Sequence, residues 1–202
     1  MVNVHRYHQI SEVDHRILNP LSDDDVARLG DICGLQAGQR HLDLASGKGE
    51  MLCQYARRHG TTGIGVDIFE PYVETARARA LELGVDHAVE FVLEDASAYT
   101  AEPDSFDVVS CIGATWIGGG LPGTLRLMRP AVRDDGWMLV GEVFWNEEPT
   151  PRQPGFNTKT PQPTCCRSIS RYWRRPASRV RRMSSASGSS ELPASHLDTL
   201  SH

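Results

Sequence analysis

The stretch His41-Leu-Asp-Leu-Ala-Ser-Gly-Lys-Gly-Glu50 decides the fold. It reads as a short buried strand that runs into a glycine-containing turn, with a helix following over about 49–59. Asp43 lies near the strand end, and Gly47 and Gly49 follow it. Glycine lacks a side chain and tolerates unusual dihedrals, so this backbone can approach a ligand closely. A helix that begins here points N–H groups at whatever lies above the strand.

Outward from that stretch the chain alternates. The spacing predicts strands at 62–67, 89–93, 106–112 and 137–143, and helices over about 70–83 and 121–132. Pro71 and Pro122 each fall in a helical first turn, where proline is favoured. Alternating strands and helices imply an α/β fold, a mostly parallel sheet with helices on both faces. Ligands bind such sheets at the C-terminal ends of the strands. Asp43, Asp67, Asp95 and Cys111 fall at or near those ends.

Before the first strand, Ile10, Val13, Ile17 and Leu18 recur at helical spacing, which predicts a short helix over about 10–18 ended by Asn19-Pro20. Ser22 then caps a second helix with Asp23, Asp24 and Asp25 in its first turn, and Gly34 stops it.

The composition changes near residue 150. Residues 151–202 hold nine basic and two acidic side chains, a surplus of seven positive charges, whereas residues 1–150 hold 12 and 24, an excess of twelve negative charges. Seven of the twelve prolines lie in 149–202, and no helical or strand period persists there. Such a segment buries too little apolar surface to offset its chain entropy. The expected organisation is an N-terminal helical cap over 1–35, an α/β domain over 36–148, and a basic Pro/Ser/Arg-rich disordered tail over 149–202.

The 202 residues, 40% hydrophobic and 23% charged, suit one soluble globular domain. No apolar run is long enough to span a membrane, and the N-terminus lacks a signal-peptide core, so a cytoplasmic protein with no membrane partner is expected. The five cysteines match no zinc spacing; reduced buried thiols and no metal are expected.

Three ligand classes use a glycine loop after the first strand. A P-loop needs Ser or Thr after its lysine, but Gly49 follows Lys48. A dinucleotide fingerprint needs a third glycine, where Leu52 stands. The third class has an acid followed by a glycine-rich turn, as in Asp43-Leu-Ala-Ser-Gly-Lys-Gly49. Acids then recur at Asp67, at Asp95 and, with Phe106-Asp-Val-Val, beside the fourth strand. On these motifs residues 36–145 resemble class I, Rossmann-like S-adenosylmethionine-dependent methyltransferases, which implies that the 36–148 domain is a cofactor-binding methyltransferase domain.

The resemblance implies roles residue by residue. Asp43 would orient the loop or meet the methionine ammonium, and Ala45, Ser46, Gly47 and Gly49 would pass beneath the methionine part. Asp67 would take the ribose, Ile68 would pack on adenine, and Asp95 with Ala96 would hold the adenine edge. Cys111, Ile112 and Gly113 would line the methyl side. Each acid could instead simply cap the next helix, and each glycine could simply make a tight turn. The implied cofactor is S-adenosyl-L-methionine.

The acceptor side is expected near Gly113 to Gly120, with Trp116 shaping the pocket and His8 or His15 as candidate bases; surface histidines are the plainer alternative. The acidic first 150 residues disfavour nucleic acid and favour a small-molecule acceptor. A complete domain of this class has seven strands, and no strand is read after 150, so strands six and seven are expected to be missing or altered, as an out-of-frame C-terminus would leave them. Two function classes follow: an active methyltransferase, or a catalytically inactive remnant that keeps the cofactor fold.

Overall fold

Five parallel strands alternate with helices in the order that the sequence predicts. The structure, a computed structural model, describes residues 14–19, 21–145, 166–174 and 179–184. In chain order the elements are α1 (Asp23–Cys33), β1 (Arg40–Leu44), α2 (Glu50–His59), β2 (Thr62–Asp67), α3 (Glu70–Leu83), β3 (Val89–Leu93), β4 (Phe106–Ile112), a 3₁₀ turn (Thr115–Gly118), α4 (Leu121–Met128), β5 (Val132–Trp145), β6 (Cys166–Arg174) and β7 (Arg179–Ser184).

The sheet order is β3-β2-β1-β4-β5-β6-β7. The chain steps outward from β1 to β3, then returns to lay β4 against the other side of β1. That reversal leaves a crevice beyond the ends of β1 and β4, where sheets of this kind bind ligands. The parallel register aligns Asp43 with Gly65 on β2 and with Ser110 on β4.

Side chains alternate across the pleat. Leu42, Leu44, Val109 and Cys111 pack with Met128 of α4 in one core cluster. Val108, Ile112 and Leu139 pack on the other face with Val26 and Leu29 of α1 and Tyr55 of α2. A third cluster joins Leu52 and Cys53 of α2 to Val73, Ala76 and Ala80 of α3. Cys33, Cys53 and Cys111 are free and buried, and burial pushes each thiol up to about 12.

Helix ends follow the local chemistry. Ser22 and Asp25 form a reciprocal capping box on α1, and Gly34 closes it in the left-handed conformation. The helix predicted to reach Val132 stops at Met128, because Pro130 supplies no N–H to continue it, and Val132 instead opens β5.

Two further expectations are corrected. Residues 14–18 are not helical; Ile17 packs on the α1–α2 cluster, and the rest of the 10–18 helix lies outside the described residues. No strand is read after 150 and strands six and seven are expected to be missing or altered; it is the absence of strands there that is corrected. β6 pairs antiparallel with β5 over Trp137–Trp145, and β7 pairs with β6. An existing sheet edge offers backbone partners to any extended segment. Ile169, Tyr172, Trp173 and Val180 are residue types that favour strands. Residues 149–165, 175–178 and 185–202 of the expected tail lie outside the described residues.

α4 is held against the 3₁₀ turn through two facing glycines. A Cβ added to Gly123 would overlap the carbonyl oxygen of Gly118, which is backbone and cannot rotate away. Gly123→Ala is therefore expected to lower stability by at least about 2 kcal/mol. Gly84→Ala, at φ +68° with open space around it, should cost only about 1 kcal/mol. Urea unfolding of the two variants measures the difference; equal losses would contradict the packing.

Candidate functional site

The turn after β1 is a backbone cradle. Ala45, Gly47 and Gly49 all have positive φ, at 57°, 56° and 71°. Ala45 bears a Cβ in that region, which costs roughly 1 kcal/mol. The turn must also lie close to its neighbours. A Cβ on Gly49 would overlap the Phe91 ring from β3, and one on Gly47 would lie 2.8 Å from Leu18 Cδ1. The N–H groups of Ser46, Gly47 and Gly49, in the turn ahead of α2, are taken up within the fold. They donate to the Val66 carbonyl, the Asp67 carboxylate and the Ser46 carbonyl.

Asp67 ties the turn to the sheet. Its Oδ2 accepts from the Gly47 N–H at 2.8 Å, and its Oδ1 accepts from the Phe69 N–H at 2.9 Å. Burial raises its carboxyl above the usual range, and backbone N–H groups of Phe69, Gly47 and Ile68 oppose that. Asp95 is exposed and turns back to Ser97, whose side chain and then its backbone N–H hold the carboxyl low.

A cavity of about 640 Å³ opens above these strand ends. Asp43, Ala45, Ser46, Gly47, Asp67, Ile68, Asp95, Ala96, Ile112 and Gly113 all line it. Gly49 lies beneath the turn, against Phe91. Cys111 is a correction: it faces the α4 core and does not line the cavity, because alternation along β4 sends Ser110 and Ile112 to the other face. Ile68 and Trp116 stand 67% and 70% exposed beside the cavity, so each has an apolar face to cover a ligand.

Residues 16–19, within the segment expected as an N-terminal cap, form a roof over the cavity. Lys48 Nζ donates to the His15 carbonyl at 2.6 Å, and Arg16 pairs with Asp23 at 3.2 Å. Leu18 sits over Gly47, and Asn19 lies near Gly113. His15 contributes its carbonyl to this roof and its side chain does not line the cavity. His8 lies outside the described residues. Among the described residues no cluster of His, Cys, Asp and Glu could hold a metal ion, and no helix is long and apolar enough to cross a membrane.

The donor set fits the implied cofactor. Ionised carboxylates accept hydrogen bonds and donate none. Three carboxyl groups stand at successive strand ends around one cavity, and the cofactor offers matching donors in its ammonium, its ribose hydroxyls and its adenine amine.

The comparisons with known proteins agree with this geometry. Residues 42–136 match the family described as "Methyltransferase domain". A crystal structure of an S-adenosylmethionine-dependent methyltransferase from Thiobacillus denitrificans, in complex with S-adenosyl-L-homocysteine, is similar at 44% identity and a TM-score of 0.69, over 72% of this chain and 58% of that one. The uncharacterized protein YjhP of Escherichia coli (strain K12) is 43% identical over 148 residues, 73% of this chain and 59% of its own length. The ubiquinone/menaquinone biosynthesis C-methyltransferase UbiE of Ectopseudomonas oleovorans is 31% identical over 109 residues, 51% of this chain and 64% of its own. The chain thus spans less than two thirds of the length of these relatives.

Glu50, the first residue of α2, is buried and fixes α3 to the cradle. Arg79 donates to it through Nε at 2.8 Å and Nη2 at 3.0 Å. Burial raises the Glu50 carboxyl, but hydrogen bonds from Arg79 and Gln54 prevail and leave it below the usual range. A lowered carboxyl contributes stability above its unfolded value and loses it as pH falls through the folded value. Glu50→Gln should therefore lose about 3 kcal/mol at pH 7 by urea unfolding, and the gap to the parent should close as pH drops below 4.5. A gap that is constant with pH would contradict the ion pair.

Proposed function

We propose that this chain, whose residues 42–136 are a Rossmann-like methyltransferase domain of the S-adenosylmethionine-dependent class, transfers a methyl group to a small-molecule acceptor with an apolar body. The observation that carries this reading is the gathering of Asp43, Asp67 and Asp95 around one cavity that also has an apolar half. When bound, the cofactor supplies a methyl group on a sulfonium, whose sulfur leaves as a neutral thioether.

The chain's own residues do the rest by position and exclusion of water. In this reading Asp67 accepts from the ribose while it holds Gly47, Ile68 covers the adenine, and Asp95 and Ala96 take its edge. Asp43 faces the methionine end. Ile17, Leu18, Met51, Trp116 and Ile117 give the acceptor side its apolar lining. The similarity to a C-methyltransferase of quinone biosynthesis supports an acceptor of this apolar character. No histidine lines the cavity among the described residues, so none of them is assigned as a base. An inactive remnant has no feature of the described site in its favour.

Isothermal titration with S-adenosylmethionine tests the reading. Saturable one-to-one binding is expected. Asp67→Ala should weaken it at least tenfold, about 1.4 kcal/mol, since both the ribose partner and the tether of the cradle are removed. An affinity that is unchanged by this substitution would contradict the ribose role.

A further inference from the structure

From Asp43 on the cavity floor a buried polar chain runs back to Ser110 and His41, two residues that the proposed methyl transfer does not use. Asp43 Oδ1 meets Ser110 Oγ at 2.5 Å, and Ser110 Oγ meets His41 Nε2 at 2.7 Å. His41, Asp43 and Ser110 are 1%, 4% and 0% exposed. His41 stacks on Tyr55 with ring centroids 5.6 Å apart, and its Nδ1 is buried with no partner.

Serine has one proton, so the chain has two polarities. With Asp43 ionised, Ser110 donates to it and accepts from an Nε2–H on His41; the Nδ1 left over is a lone pair. With Asp43 protonated and donating to Ser110, the serine donates to Nε2, and the neutral ring must carry an N–H at Nδ1 with nothing to receive it. An orphaned buried N–H is the costlier defect. The unpartnered Nδ1 thus biases the chain toward the polarity that serves an ionised Asp43.

On the cofactor reading above, we propose that Ser110 and His41 are positioning residues that hold Asp43 ready to ionise when the cofactor's positive charge enters, so that binding releases a proton from Asp43 to solvent.

The surroundings supply the opposing push. Among the described residues the titratable groups coupled to Asp43 are Asp67 from β2, Cys111 from β4 and Tyr55 from α2, none of them cationic. The cations that line the same cavity, Arg16 and Lys48, are engaged by Asp23 and by the His15 carbonyl, and His41 is held neutral by burial, down to about 3. Burial raises Asp43 to about 7; the Ser110 hydrogen bond pulls it down and the Asp67 charge adds to the rise. Empty, the carboxyl is largely protonated below pH 7. A cation in the cavity favours its ionised form. Cofactor affinity should therefore climb as pH rises through about 7 and then level.

Titration calorimetry of the full chain with S-adenosylmethionine, in buffers of differing ionisation enthalpy, counts the proton. Release of most of a proton is expected at pH 6.5, falling toward none at pH 8.5. Ser110→Ala should move the midpoint up by about one pH unit. His41→Gln, which keeps a donor at similar reach, should leave it in place. Binding without proton release at any pH overturns the coupling and leaves the cofactor reading intact. No binding at any pH overturns both. His41→Phe, which lacks the donor, should raise the midpoint where His41→Gln does not, and an unmoved midpoint in Ser110→Ala or in His41→Phe removes that residue from the role. The proton count on the unaltered chain decides the coupling even where a variant fails to fold.

Discussion

One carboxylate between two backbone amides organises the site. Asp67, at the end of β2, accepts from Gly47 in the turn after β1 and from Phe69 just before α3. The bond to Gly47 pins the cradle over the sheet, and the bond to Phe69 sets where the next helix starts. The cradle can be pinned there only because its residues take positive φ and because Gly49 leaves room for the Phe91 ring. From that fixed turn, α2 departs with Glu50 as its first residue, and Glu50 in turn captures Arg79 of α3. Two buried carboxylates thus hold the loop, two helices and two strands in one geometry, each satisfied by several donors rather than by a single charge.

Most of this frame was legible in the sequence because its signals are local. The glycines, the acids that end strands, the capping serine at 22 and the helix-starting prolines each act within a few residues of their own position. What was not legible depends on register or on distant contact. That Ser110 meets Asp43 follows from how β1 and β4 align, 67 residues apart in sequence. That Leu18 roofs Gly47 follows from how the N-terminal segment crosses the sheet ends. Cys111 was misassigned by one residue of strand phase, which moves a side chain from the cavity face to the α4 core. The shortened α4 was a different failure, because the signal, Pro130, was present and outweighed by the apolar pattern around it.

The C-terminal part teaches a separate lesson. Periodicity detects strands that bury a face, and residues 166–184 show no such period. Yet β6 adds to β5 through backbone pairing, which depends on an open edge more than on side-chain pattern. The mostly parallel, cofactor-facing half of the sheet is set before that edge is reached. β1 to β4 supply the cavity-lining strand ends, and β5 to β7 extend the sheet away from them.

The central claim is that the cavity above Asp43, Asp67 and Asp95 is the cofactor site. A crystal structure of this chain with S-adenosyl-L-homocysteine tests it most directly. The ribose hydroxyls are expected on the Asp67 carboxylate, the adenine against Ile68 with its amine toward Asp95, and the amino-acid end beside Asp43 under the 16–19 roof. A ligand seated elsewhere, or one that leaves the Asp67 carboxylate without contact, would contradict it.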